Sequence, residues 1–336
     1  MQFIALNKDY SINSVLAPIN VQWTRQYYQT GAFSIQIPYT QYNEQMCYIY
    51  TKDRPELGII TQVNYIWEKG KKNAHISGNF LEHELNDKIV HPQFKGSGIL
   101  EDEIVRLVNE YKDDIPLLEE AVSQGRGDVV NFTAFTKGID EELYNILPTH
   151  EFSFRINFDY IANKKTFELW QGKDRTQAQG TENFVTFSTA FKNLLEPNLV
   201  ILKNSKNWAL VKGSYNGSDI YQEVDLSGGE YKRKICIDAN VDAEDMTEAQ
   251  YKQKLTEYGQ NELLSKYMSV QNVTFKVNSK SYEYLKDYDL GDKCDIIIND
   301  IGVEMEARII TIYEVWKNNA HQLTLEFGNQ KIKRRS

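Results

Sequence analysis

One hairpin-like pattern occurs twice in this chain, once near each end, and a fold must accommodate both copies. Gly58 to Phe80 reads GIITQVNYIWEKGKKNAHISGNF, and Ala307 to Asn329 reads ARIITIYEVWKNNAHQLTLEFGN. Both open on an Ile-Ile-Thr run (Ile59, Ile60, Thr61; Ile309, Ile310, Thr311), pass a Trp (Trp67; Trp316) and restart after a polar bend at Asn-Ala-His (Asn73, Ala74, His75; Asn319, Ala320, His321). β-Branched and aromatic residues fill the arms while Lys, Gly and Asn crowd the bends, which is the chemistry of a hairpin. Leu323, Leu325 and Phe327 alternate with Gln322, Thr324 and Glu326, the period of a strand with one buried face. The pattern implies a duplicated β unit; two unrelated hairpins drawing on the same common residues would give it as well.

The rest of the chain supplies more strands and a few helices. Before Pro92 the strand candidates are Gln2–Leu6, Val21–Tyr28, Ala32–Pro38, Met46–Tyr50, Gly58–Trp67 and Asn73–Phe80, and short strands between turn residues point to a sandwich or barrel. From Pro92 to Leu147 the pattern is helical: Leu100, Ile104, Leu107, Val108 and Tyr111 recur at three and four, Glu101, Asp102 and Glu103 suit a helix start, and Ser97 is the cap candidate. A second helix covers Ile139–Leu147 and stops at Pro148. Then Phe152, Phe154, Ile156, Phe158 and Tyr160 alternate with polar residues, turning at Ala162–Lys164 into Thr166–Trp170, a hairpin with one wet wall. Short strands follow at Val185–Phe187, Leu199–Lys203, Trp208–Tyr215 and Ile220–Val224. The longest helix, about Thr247–Tyr267, has a Thr247/Gln250 capping box and a stripe of Tyr251, Leu255, Tyr258 and Leu263. Strands at Val273–Val277, Lys293–Ile298, Glu304–Trp316 and Gln322–Phe327 finish the chain. The class is α+β, mainly β. Its divisions are a first β unit at 1–91, a mixed α/β insertion at 92–180, β segments at 181–240 that complete the β units, and the long helix with the second β unit at 241–336.

Chemistry-bearing motifs do not emerge. Cys47, Cys236 and Cys294 are far apart with no C-x-x-C pair, so they read as small buried thiols rather than a disulfide framework or zinc site. His83, Glu84 and His91 lack the H-E-x-x-H spacing, no G-x-S-x-G elbow occurs, and Gly96-Ser97-Gly98 and Gly125-Arg126-Gly127 continue into no phosphate-binding loop. No catalytic residue, cofactor or metal is assigned. Met1 to Tyr10 lacks the features of a signal peptide and no stretch is a membrane span. The net charge of −9 argues against a protein that grips phosphates, and the basic residues at Lys331–Arg335 read as a solvated terminus. With 21 Tyr, the chain is rich in the residue that serves half-buried surfaces and interfaces.

Several stretches together resemble the hub, or tail-associated, proteins of siphoviruses. They are Gly31–Pro38; Gly58–Val63 with Ile76-Ser77-Gly78 and Leu81–Ile89; Gly172-Lys173-Asp174-Arg175-Thr176 with Val185–Ser188; and Asp289-Leu290-Gly291-Asp292-Lys293-Cys294 with Ala307–Gly328. None is specific alone; their order over most of the chain carries the likeness. The resemblance implies a homotrimeric baseplate hub in the virion tail tip, made in the bacterial host cytoplasm. Two related tail-tube-like β-barrels per chain would adapt a sixfold tube to a threefold spike or fibre. Implied partners are the tail tube, distal tail and tape measure proteins, a spike, central fibre or receptor-binding protein, and DNA that passes without specific binding. The acidic balance would let the duplex through without sticking, although solubility explains it equally well. Many such proteins continue into an enzyme or fibre region, whereas here the last strand ends near Phe327, so no appended enzyme is expected. Tyr65, Trp67, Tyr313 and Trp316 are the interface candidates, with burial inside each β unit as the other reading. The segment Pro92–Gln179 is expected to decorate the ring. A carbohydrate-binding β protein for host surface recognition and a tail-associated hydrolase are the alternatives.

Overall fold

The computed structural model describes the whole chain except residues 69, 181–182, 202–204, 240, 242, 244–245, 264–266, 268–270, 279, 318–319, 329–332 and 335–336. It is mainly β with few helices, as the patterning requires. The first strands are β1 (Phe3–Leu6), β2 (Ile12–Leu16), β3 (Asn20–Gln26), β4 (Ala32–Pro38), β5 (Tyr48–Tyr50), β6 (Gly58–Glu68) and β7 (Lys71–Phe80). Next come β8 (Phe94–Ile99), α1 (Leu100–Tyr111), β9 (Val129–Ala134), α2 (Ile139–Ile146), β10 (Ser153–Asp159) and β11 (Lys164–Trp170). The rest are β12 (Thr186–Ser188), β13 (Leu194–Ile201), β14 (Trp208–Tyr215), β15 (Ser218–Asp225), β16 (Lys234–Asp238), α3 (Glu248–Glu262), β17 (Gln271–Val277), β18 (Lys293–Ile298), β19 (Val303–Lys317), β20 (Ala320–Gly328) and β21 (Lys333–Arg334).

The chain forms two compact units. One holds Met1–Pro197 and Thr274–Phe327; the other holds Asn198–Val273. The largest sheet has fourteen strands, and its main path runs β13-β17-β20-β19-β3-β4-β7-β6-β5-β1-β2. Both recurrent hairpins, β6–β7 and β19–β20, therefore lie in this one sheet. They flank the β3–β4 hairpin, with β19 on β3 and β7 on β4. Among the described residues the path stays open between β13 and β2. Alternation in β3 and β4 buries Val21, Trp23, Phe33, Ile35 and Ile37, and Phe3, Ile76 and Phe80 pack on them.

The 92–180 stretch builds a second apolar cluster together with Leu6, Tyr10, Leu57, Leu81 and Leu85 of the first segment. One face of α1 (Leu100, Ile104, Leu107, Val108) meets Ile139 and Leu143 of α2 and Phe154, Ile156, Phe167 and Leu169 of the β10–β11 hairpin. Glu101, Asp102 and Glu103 fill the first turn of α1 as expected. Ser97 does not cap it: Ile99 is the N-cap residue and Ser97 pairs with Asn131 in a β8–β9 hairpin. The purely helical reading of this stretch is thus corrected, because Val129, Val130, Phe132 and Thr133 favour an extended chain.

In the second unit α3 covers the three-stranded sheet β15-β14-β16, burying Tyr251 and Leu255 against Ala209, Val211, Val224 and Ile237. The expected capping box is formed: the Gln250 N–H donates to Thr247 Oγ1 (3.3 Å), and the Thr247 N–H donates to Gln250 Oε1 (2.9 Å). The expected extension of this helix to Tyr267 falls partly outside the described residues, as does the Lys203 end of the Leu199–Lys203 strand. Of the three thiols, Cys294 is buried, Cys47 half-buried and Cys236 exposed, so burial fails as a common reading of them. Among the described residues no helix is long and apolar enough to cross a membrane.

Candidate assembly surface

The four aromatic candidates divide by where their strands sit. β6 has β7 on one side along its length but β5 on the other only at Ile59 and Gly58. Among the described residues its outer half, Gln62 to Glu68, is therefore an edge. Tyr65 is 42% and Trp67 64% exposed on it, with Tyr39 and Tyr42 edge-on to the Tyr65 ring at 5.5 and 5.9 Å. Pro38 ends β4 and turns those two tyrosines toward the same patch, a contribution that alternation alone did not signal. Four aromatic rings, a large area able to desolvate at little entropic cost, thus gather on an open strand edge.

Tyr313 and Trp316 lie on β19, which β3 flanks from Thr311 to Lys317. Both are half-buried and engaged within their own chain. The Tyr313 hydroxyl donates to Glu326 Oε2 at 2.9 Å. Trp316 stacks on His321 (4.8 Å, 9°), meets the Phe3 ring edge-on at 5.9 Å and lies 5.6 Å from the Arg54 guanidinium. The structure brings Tyr65 and Trp67 together and does not bring them to Tyr313 or Trp316 by any ring contact among the described residues.

Two ionic networks tie the chain's early and late segments together, and neither was foreseen. Arg54 donates from Nε to Glu314 Oε1 (2.6 Å) and from Nη2 to Glu314 Oε2, while His321 Nε2 lies 2.9 Å from the latter oxygen. Burial would raise the Glu314 carboxyl, but hydrogen bonds from Arg54 and His321 and the Arg54 charge hold it below its ordinary range. Arg25, fully enclosed, pairs with Glu56 through Nε and reaches Asp289 Oδ1 (2.5 Å) and the Tyr284 hydroxyl (2.7 Å) through Nη1. Charges this deep are tolerable only when each is partnered.

Two glycine-containing stretches singled out in the sequence turn out to be neighbours. Asp292 accepts the Lys173 N–H at 2.7 Å and lies 3.4 Å from Arg175 Nε, and the Arg175 N–H donates to the Lys293 carbonyl at 2.7 Å. Burial pushes the Asp292 carboxyl up, against these donors. A Cβ at Gly172 would collide with the Gly291 backbone, so glycine is needed for the two segments to touch.

This architecture is that of phage tail proteins of known structure. The tail protein from Neisseria meningitidis MC58 superposes with a TM-score of 0.63 at 11% identity, covering 98% of this chain and 96% of that one. The 43 kDa tail protein of prophage MuSo2 from Shewanella oneidensis gives 0.61 at 13% identity, over 97% and 98%. The prophage tail protein gp18 from Listeria monocytogenes EGD-e gives 0.54 at 14% identity, over 100% and 96%. At such identities the likeness speaks for the fold. By sequence, the chain belongs to the Siphovirus ReqiPepy6 Gp37-like protein family, whose model matches residues 6–329. No curated protein matches it.

Proposed function

We propose that this protein is a structural component of a siphovirus tail tip, a hub of three chains that closes the distal end of the tail tube. The open sheet is the observation that carries this reading. Its path ends in β2, where Ile12 and Val15 are each 55% exposed, and in β13, where Leu195 and Val200 are exposed too. Unprotected apolar edges are templates for a further strand. Because the two edges differ, pairing one with the other on a neighbouring copy is a heterologous contact, the type that generates rings where the rotation closes.

The two hairpins flanking β3–β4 support the rest of the proposal. With the strands beside them they serve as two tail-tube-like β units per chain, so three copies offer six similar contacts and their barrels complete themselves in the ring. One face then meets the tail tube and distal tail proteins and the other a spike, central fibre or receptor-binding protein; the tape measure protein and DNA occupy the channel. The net charge of −9 suits a wall that duplex DNA passes without sticking. A structural, non-enzymatic role accords with the tail-protein fold. Native mass measurement tests the reading: a species of three times the 39.1 kDa chain is expected, and a monomer or dimer at micromolar concentration overturns it.

A further inference from the structure

The tip of the β10–β11 hairpin carries an open groove of about 490 Å³. Its polar floor follows from register. Asn157 pairs with Thr166 and Asp159 with Lys164, so these four side chains share one face of the hairpin. Its wall is aromatic. Tyr50 stacks on Tyr160 at 5.5 Å and 20°, Phe158 meets Tyr160 edge-on at 6.3 Å, and Phe158 in turn stacks on Tyr10, itself buried. The wall is thereby anchored to the core while Tyr160 remains 37% exposed.

We propose that this groove binds a short neutral oligosaccharide. Its one cation is already engaged, Lys164 Nζ donating to Glu119 at 3.0 Å, while Asp159 Oδ1 accepts the N–H groups of Ile161 and Ala162 at 2.9 Å each. An anionic ligand therefore finds no free cation there. Asn157 Oδ1, Thr166 Oγ1, Asp159 Oδ2 and the hydroxyls of Tyr50 and Tyr160 take no hydrogen bond among the described residues, which leaves one anionic and several neutral groups to meet hydroxyls. Such a set of donors and acceptors beside a fixed ring face matches a sugar, whose C–H face packs on an aromatic ring while its hydroxyls hydrogen-bond around it. An extended peptide is disfavoured as a third strand, because the outward N–H of Ile156 goes to Glu82 Oε1 (3.1 Å) and that of Lys165 to the Leu117 carbonyl (2.8 Å). The volume lies within the range of small-ligand sites, roughly 300 to 1,000 Å³.

The experiment uses the full chain on an array of neutral tri- and tetrasaccharides built from hexoses, deoxyhexoses and N-acetylhexosamines, followed by calorimetry on the best binder. Wild type is expected to bind at least one probe. Tyr160→Ala should lower the affinity about tenfold, and Thr166→Ala about fivefold through one lost hydrogen bond. Tyr160 is at a turn, but if its variant loses its wild-type melting curve, Thr166→Ala decides alone. No neutral probe bound by wild type, wild-type affinity in both folded variants, or binding confined to sialylated or phosphorylated probes overturns the proposal. The result is independent of the ring, which the mass measurement reads separately.

Discussion

The hairpins β6–β7 and β19–β20 share a sequence pattern and use it in opposite ways. On β19, Trp316 lies flat on His321 and His321 holds Glu314; on β6, Trp67 reaches into solvent, while His75 Nε2 turns instead to Ser34 Oγ at 2.5 Å. Two local causes account for the difference. β19 has a strand on its far side where, among the described residues, the outer half of β6 has none. Before its Trp, β6 also carries one extra residue: the pairing steps from Ile60–Gly78 to Gln62–Ser77, leaving Thr61 in a bulge. That insertion explains why Thr61 and Trp67 are one residue further apart than Thr311 and Trp316. Matching letters specify a hairpin; the neighbours of its strands decide what its aromatics face.

The comparison breaks most visibly at two buried glutamates, Glu314 within the second hairpin and Glu82 just after the first. Glu314 is fully buried and Arg54 nearly so, so Glu314→Ala leaves a cation uncompensated and should cost about 3–5 kcal/mol in chemical denaturation. A loss below about 1 kcal/mol would mean that the network is solvated. Among the described residues no cation pairs directly with Glu82. Burial raises it from 4.5 to about 7, with the Glu56 charge adding to the effect and the Ile156 N–H and Arg25 opposing it. The two carboxyls therefore act on stability with opposite signs. Glu314, depressed in the fold, contributes stability that is present above 4.5 and is lost as acid brings the pH down through its folded value. Glu82, raised in the fold, keeps its proton while the unfolded chain gives it up, so stability falls as pH rises from 4.5 to about 7 and then levels. Glu82→Gln should remove that decline, a gain on the order of 3 kcal/mol at pH 8 over wild type. Equal slopes for variant and wild type across that window would place the Glu82 carboxyl in contact with water.

Much of the scaffold was readable because it is built on alternation and periodicity. Ala32–Pro38 and Lys293–Ile298 fall at their expected limits, and the α1 stripe and the Thr247/Gln250 box are where the spacing puts them. Strands with weaker patterns escaped: β2 exposes Ile12 and Val15, and β16 buries only Ile237 fully, so neither shows a clean apolar face. Ionic networks left no trace in the sequence, since Arg25, Glu56 and Asp289 are joined only by the tertiary fold. Lys165 is a partial case. Alternation with Phe167 and Leu169 assigns it to the apolar wall, yet its partner Glu84, at 2.6 Å, lies on a turn that periodicity does not place.

Gly78 sharpens the hairpin comparison at the bulge. A Cβ there would collide with the Ile59 carbonyl, so Gly78→Ala must shift the paired backbone and should cost about 1–3 kcal/mol by thermal or chemical unfolding. Counting from His75 and His321, the second hairpin has Thr324 at the corresponding place, half-buried in β20. Thr324→Gly should cost only about 1 kcal/mol, from lost strand preference. If the order of the two losses is reversed, the bulge is not what demands glycine.

The smallest effect on folding is expected where the largest effect on assembly is. Among the described residues Trp67 meets a single ring, Tyr65, at 6.4 Å and is mostly exposed, so Trp67→Ala should change the stability of the single chain by less than about 0.5 kcal/mol. Trp316→Ala removes contacts with Phe3, His321 and Arg54 and should cost roughly 2 kcal/mol, less than a fully buried aromatic would. If the outer half of β6 is an assembly surface, the concentration needed for association should rise at least about tenfold in Trp67→Ala, as for an aromatic anchor at an interface. Trp316→Ala, compared where both variants remain folded, should leave that concentration near the wild-type value. Sedimentation across a dilution series reads both outcomes at once. Should Trp316→Ala weaken association more than Trp67→Ala, the exposed edge of the first hairpin faces solvent in the assembly and the second hairpin carries the contact.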